Sequence, residues 1–242
     1  ADGQQRELLQ VHFLHRHGAR TEPFVSDTNL NWDNVVLSNE GAKMALDLGA
    51  FLRKRYIIDQ PFLPADDYDY TTITSRSTEF ERTVRTGVGV LRGLYNTTKY
   101  SIPWLTHVLP DVDHMLGFYY SWPSAVLRIP YLQSFNVIND PETLKELTQA
   151  ELNTTGDVLG CPKICATRPT TCALLGEDVS TCRLSNGGLS PKLLKLLPKF
   201  KRIQEESNAF LYNYDKSDNY WKHTGPYGRL LAERILNNAS DK

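Results

Sequence analysis

The chain carries no excess of either charge: 27 Lys and Arg stand against 28 Asp and Glu, a formal net charge of -1. Without a broad positive field, nucleic acid is not an expected partner. No apolar run approaches the roughly 20 residues that a membrane-crossing helix needs, so membrane insertion is not expected within these residues. Internal repeats and low-complexity tracts are missing as well, which argues against a solenoid or a disordered linker. Cysteine is scarce at four residues, and no CxxC pair occurs among them. That spacing disfavours a four-thiolate zinc site. What remains is ordinary for a globular protein, with 40% hydrophobic and 23% charged residues. A chain of 242 residues can bury a substantial core as one domain, or as a domain with a lobe.

Against this plain background one run stands out, VHFLHRHGAR at positions 11 to 20. It sets His17 between Arg16 and Arg20, directly after the mixed apolar and polar stretch Leu8 to Leu14, which reads as a strand. An imidazole can attack the phosphorus of a phosphomonoester and hold the phosphoryl group covalently. Guanidinium forks bind the non-bridging oxygens at fixed angles and stabilise their charge. His17 is therefore the candidate nucleophile, with Arg16 and Arg20 as phosphate ligands. Gly18 lets backbone and ligand approach closely where the strand turns into a loop. Open α/β sheets place ligands at such carboxyl ends. A second strand-like stretch, Tyr68 to Thr74, is followed by Ser75, Arg76 and Ser77, which makes Arg76 a third candidate phosphate ligand at a strand-to-helix junction.

With RHGAR after an N-terminal strand, LSNEGAKMALDLGAFLRKRY at 37 to 56 and SRSTEFERT at 75 to 83, the chain resembles the histidine acid phosphatases, branch two of the histidine phosphatase superfamily. The last segment is more similar to the prostatic and lysosomal acid phosphatase group than to phytases. TGPYGRLLAERIL at 224 to 236 resembles the helix before the family's last catalytic strand. The resemblance implies a phosphorylated histidine at His17, phosphate-binding arginines at Arg16, Arg20 and Arg76, and no cofactor. This chain departs from the family pattern R-H-G-x-R-x-P, because Pro23 falls one position late. The family's late His-Asp or His-Glu pair, whose acid protonates the leaving group, has no counterpart dipeptide here. The chain is accordingly read as a fragment of a longer protein.

The pattern of elements predicts an α/β fold, with a mixed sheet flanked by helices and an inserted, mainly helical smaller lobe. Residues 1–110 are expected to form the α/β core with the catalytic motif, 111–220 the helical cap lobe, and 221–242 a return to a core whose remainder is missing. Ser38 is placed to cap a helix with Gly41, Ala45, Leu48, Leu52 and Tyr56 on one stripe, and Arg53, Lys54 and Arg55 at its solvated end. A second helix follows Ser77 and runs to about Tyr95, with Val84, Val88 and Leu91 as core candidates. Pro103 to Leu109 reads as a further strand. In the lobe, Ser190 and Pro191 suit the start of a basic amphipathic helix that Pro198 should kink or divide. The lysines of that helix are expected on a solvated face rather than at a membrane.

Cys161, Cys165, Cys172 and Cys182 form an even, clustered set that reads as two local disulfides in an oxidising compartment, with three pairings open. Sequons at Asn96, Asn153 and Asn238 point the same way as glycosylation sites. The expected location is the secretory pathway: extracellular, lysosomal or endosomal, or the ectodomain of a membrane protein. His12, His15 and His17 make an H-x2-H-x-H array, but the arginines among them would repel a cation, and no metal is expected. Asp113 and His114 could reach the site through a loop, while His107 and His223 carry no specific signal.

Together these readings predict an acid phosphatase that hydrolyses phosphate monoesters through a phosphohistidine on His17. Its partner would be a small phosphorylated substrate or phosphopeptide, and a homodimer is left open. The alternatives are a noncatalytic phospho-ligand binder or receptor lacking the general acid, a metal-dependent hydrolase built on the histidine array, and a mutase of the same superfamily, which the secretory signals disfavour.

Overall fold

The computed structural model describes residues 7–31, 34–64, 68–69, 71–96, 105–106, 142–211 and 236. They fall into two compact units: those within 1–18, 41–121 and 228–242, and those within 19–40 and 122–227. The described residues are mostly helical, with four strands of two residues each. The large mixed sheet expected from the sequence is not seen among them. Leu8 to Leu14 takes no strand pairing among the described residues, and Leu8, Leu9, Phe13 and Leu14 are exposed. Alternation marks a chain able to pair, but a strand exists only where a partner supplies the ladder.

In the first unit, α1 (Asn39–Arg53) packs on α2 (Glu81–Tyr95). Gly41, Ala45, Gly49 and Leu52 are the buried stripe of α1, close to the expected register, while Leu48 and Tyr56 are only partly buried. The two helices meet through small residues. A Cβ on Gly49 would lie 2.1 Å from the Val90 carbonyl oxygen, and one on Gly93 would lie 2.3 Å from that of Leu46. Arg53 donates to the Leu94 carbonyl at 3.0 Å, near the negative end of the α2 dipole, so it is not simply a solvated helix end. The chain leaves α1 through a wider π-helical turn, Lys54–Asp59.

The buried face of α2 is Thr86, Gly87, Val90, Leu91, Leu94 and Tyr95; Val84 and Val88 are only half-buried. The expected register was rotated because the small and polar residues Thr86 and Gly87 occupy the packed side. Asn96, in the left-handed region at φ 48°, ends the helix where the sequence predicts. Where a strand is expected at Tyr68 to Thr74, the described residues 68–69 and 71–74 are instead turn and irregular chain, stitched by Thr72 and Ile73 N–H groups on the Asp69 carbonyl. Strand pairing starts later, at β3 (Arg76–Ser77), which runs parallel to β4 (Leu105–Thr106), Arg76 opposite Leu105. The succession β3, α2, β4 is a parallel strand pair with a helical connection, the basic unit of α/β folds.

In the second unit, β1 (Phe24–Val25) and β2 (Leu30–Asn31) form an antiparallel hairpin. A short 3-10 turn at Glu142–Glu146 precedes α3 (Gln149–Leu159), α4 (Pro162–Thr167), α5 (Pro169–Ser185) and α6 (Pro191–Leu211). A capping box opens α3: the Thr148 hydroxyl accepts from Glu151 N–H while the Glu151 carboxylate accepts from Thr148 N–H. At α6 the Ser190 hydroxyl accepts from Leu193 N–H at 3.4 Å, with Pro191 in the first turn. The helix then runs undivided through Pro198. Its apolar face, Leu193, Leu196, Phe200 and Ile203, is buried against Leu152, Leu175 and Val179. Lys192, Lys195 and Lys201 stay exposed, so this is a core-facing helix with a solvated basic side. Among the described residues no helix is long and apolar enough to cross a membrane.

The cysteines depart from expectation. Cys165 and Cys172 are joined by a disulfide, whereas Cys161 and Cys182 are buried and form no disulfide. Cys161, Cys165 and Cys172 share one apolar core, and spacing alone does not decide which of them lie within bonding reach.

Candidate active site

His17 donates from Nδ1 to the carbonyl of Gly18 at 2.8 Å. A carbonyl can only accept, so the proton of the neutral imidazole sits on Nδ1 and the ring lone pair sits on Nε2. The backbone thereby selects the tautomer that leaves Nε2 unprotonated. His17 is half-buried, partly withdrawn from water.

The loop that follows is fixed from two sides within the same unit. Gly18 N–H donates to the Thr86 hydroxyl at 3.0 Å, and that hydroxyl donates in turn to the Arg82 carbonyl at 2.6 Å. Thr86 is 2% exposed, so the hydroxyl relays between two backbone groups away from water. A Cβ on Gly18 would lie 2.5 Å from the Gly41 carbonyl oxygen in α1, so any side chain there forces backbone to move. Thr86 and Gly41 thus support the motif, though nothing in the run around His17 announces them. The one available signal for Thr86 is a hydroxyl residue on the packed side of α2.

The candidate phosphate ligands stand in different environments. Arg16 is exposed and Arg76, in β3, is half-buried. Arg20 lies in the second unit with its side chain 7% exposed. Its Nη2 donates to Asp178 Oδ1 of α5 and its Nη1 to the Thr21 carbonyl at 3.1 Å. The adjoining residues are held by the same helix: Arg183 forks onto the Glu22 carboxylate, with Nε to Oε2 at 2.7 Å, and the Asn186 amide donates to the Arg20 carbonyl at 3.0 Å. Asp178 gave no signal in the sequence, since an acid in mid-helix is usually solvated.

Beyond Arg20 the late Pro23 leads into the β1 to β2 hairpin, whose turn is closed by Ser26 N–H on the Asn29 carbonyl at 2.9 Å. Asp27 in that turn accepts from the N–H groups of Lys163 and Ile164 at 2.8 and 3.1 Å, capping the first turn of α4. An open cleft of about 420 Å³ is lined by Glu22, Pro23, Phe24, Asn31, Asn34 and Val35.

His15 donates from Nδ1 to the Arg16 carbonyl at 3.0 Å, and His12 is exposed. Among the described residues no three His, Cys, Asp or Glu side chains are grouped as a metal site. Asn96 and Asn153 are exposed. His107, Asp113, His114, His223 and Asn238 lie outside the described residues.

Residues 22–128 match the family model of the histidine phosphatase superfamily, branch 2. Over those residues the chain is similar to that superfamily. It is distantly homologous to acid phosphatases: it is 32% identical to a lysosomal acid phosphatase of Xenopus laevis over 172 residues, which are 63% of this chain and 38% of that protein. To a testicular acid phosphatase of Mus musculus it is 34% identical over 97 residues, 36% of this chain and 22% of that protein. The chain therefore spans about two fifths of the length of the first of these relatives. The family match takes in Arg76 and begins two residues after Arg20, so His17, Arg16 and Arg20 are candidates from the sequence motif.

Proposed function

We propose that this protein is an acid phosphatase that hydrolyses phosphate monoesters through a phosphohistidine on His17, within an α/β core of mixed sheet and flanking helices that carries an inserted helical lobe. The observation that carries the reading is the hydrogen bond from His17 Nδ1 to the Gly18 carbonyl. It leaves Nε2 with the lone pair a nucleophile requires. Nε2 attacks phosphorus in line, the bond from phosphorus to the ester oxygen breaks, and the leaving oxygen takes a proton from a carboxylic acid. Water then attacks phosphorus, the P–N bond breaks, the proton from water returns to the carboxylate, and neutral His17 and inorganic phosphate result. Arg16, Arg20 and Arg76 bind the phosphoryl oxygens and take the charge of the transition state, so no metal or cofactor is assigned. A carboxyl group must be protonated to act as the acid, which gives activity on the acid side of neutrality.

We assign the protein to the secretory pathway, extracellular or lysosomal or as a membrane ectodomain. The Cys165 to Cys172 disulfide, the exposed Asn96 and Asn153 and the similarity to a lysosomal acid phosphatase support that assignment. The substrate class is a small phosphomonoester or phosphopeptide.

A second reading is a phospho-ligand binder without turnover, in which no acid protonates a leaving group. One experiment separates the two: hydrolysis of an aryl phosphate at about pH 5 in excess chelator, comparing the full-length protein with its His17→Ala variant. Turnover lost in the variant, with a phosphohistidine trapped in the parent, supports the phosphatase. Phosphate binding with no turnover in either protein supports the binder.

A further inference from the structure

We infer that Asp178 is a positioning residue for the phosphate clamp: from α5 it sets the plane in which the Arg20 guanidinium meets a phosphoryl oxygen. The inference rests on the reading of Arg20 as a phosphate ligand.

Arg20 is tied on both sides of its fork. Nη2 donates to Asp178 Oδ1 and Nη1 to the Thr21 carbonyl at 3.1 Å. Because the guanidinium is rigid and planar, two acceptors at two nitrogens fix its orientation rather than merely its position. The backbone beneath is fixed as well, by a bridge from Arg20 to Leu37 and by the Asn186 amide on the Arg20 carbonyl. Asp178, Arg183 and Asn186 all come from α5 or its C-cap, so one helix holds the side chain of Arg20, its carbonyl and the neighbouring Glu22. That helix begins just before Cys172, which the disulfide ties to Cys165.

The ion pair is one-oxygen in character. Asp178 Oδ2 is buried and accepts no hydrogen bond among the described residues. A single-oxygen grip, with the Thr21 carbonyl on the other nitrogen, orients the fork. Three roles then make different predictions: a positioning acid loses phosphate affinity when its charge is removed, an acid that competes with phosphate gains it, and a purely structural acid changes stability alone.

The test is calorimetric titration of inorganic phosphate into the full-length protein and its Asp178→Asn and Asp178→Glu variants, with kcat, KM and thermal midpoints measured alongside. We expect Asp178→Asn to bind phosphate about tenfold more weakly, one charge-assisted hydrogen bond misplaced, with KM raised in step. Asp178→Glu keeps the charge on a longer arm and is expected to fall between the two. It carries the decision if the Asn variant does not fold. Unchanged or tighter phosphate binding in the folded variants overturns the inference while leaving the phosphatase reading intact. A parent protein that binds no phosphate overturns both.

Discussion

The Thr86 hydroxyl accepts the backbone N–H of Gly18 at 3.0 Å, across 68 residues of sequence. That bond ties the residue after the candidate nucleophile His17 to the buried side of α2. Thr86→Val keeps the volume and removes the acceptor, leaving the Gly18 N–H in want of a partner. We expect a stability loss of about 1 to 2 kcal/mol and a larger fractional loss in kcat than in phosphate affinity, with Thr86→Ser restoring both. Urea unfolding and steady-state kinetics check this. An unchanged kcat in Thr86→Val would show that the Gly18 anchor does not support His17.

The crossing of α1 and α2 depends on Gly93 having no side chain. Its Cβ would fall 2.3 Å from the Leu46 carbonyl oxygen and 2.9 Å from Gly49 Cα, all backbone atoms that cannot swing aside. Gly93→Ala would normally favour a helix, by about 1 kcal/mol. Here overpacking dominates, and a net destabilisation of about 1 to 3 kcal/mol is expected. Denaturant midpoints of Gly93→Ala and of Gly188→Ala, which meets nothing within 4 Å, provide the contrast.

Glu151 is held below the ordinary glutamate range first by its hydrogen bond from the Lys199 ammonium and next by the Thr148 N–H. A depressed carboxyl contributes stability above its unfolded pKa and loses it as pH falls through the lower, folded value. The acid limb of the stability curve should therefore be shallower in Glu151→Gln. The pair is partly solvated, with side chains 29% and 27% exposed, so the difference near neutral pH should stay at or below about 1 kcal/mol. Thermal midpoints from pH 7 down to about pH 3 measure it, and parallel curves for the two proteins would refute it.

The Cys165 to Cys172 disulfide closes a loop with a sequence separation of 7. Chain entropy alone assigns such a short loop about 2.5 kcal/mol. The Cys165→Ser, Cys172→Ser double variant is expected to lose about that amount, and peptide mapping of the parent should recover Cys161 and Cys182 as alkylatable thiols after unfolding. Recovery of a Cys161 to Cys182 disulfide would contradict the observed pairing.

Much of the helical organisation was legible because it is local. Ser190 and Pro191 start α6, Tyr95 ends α2, and the spacing of Gly41, Ala45 and Leu52 marks the inner face of α1. Strands were less legible. Leu8 to Leu14 and Tyr68 to Thr74 have strand-like composition, yet pairing needs a second chain segment that composition does not specify. Of the two expectations at Pro198, a kink or a division, division does not occur. Local rules end a helix there, but burial of Leu193, Leu196, Phe200 and Ile203 carries α6 through it, tertiary packing outweighing the lost hydrogen bond.

The sequence by itself determined which residues stand as candidates and what the chain is similar to: a histidine between arginines, with the helices that follow. It could do so because bonding preferences, helical period and capping act over a few residues. Only the tertiary structure decided that Gly18 rests on Thr86, that Cys165 bonds Cys172, and that Arg20 pairs with Asp178 across 158 residues. Those choices depend on which surfaces meet when the apolar faces of distant helices are buried together, and that is a property of the packed chain rather than of any short stretch of it.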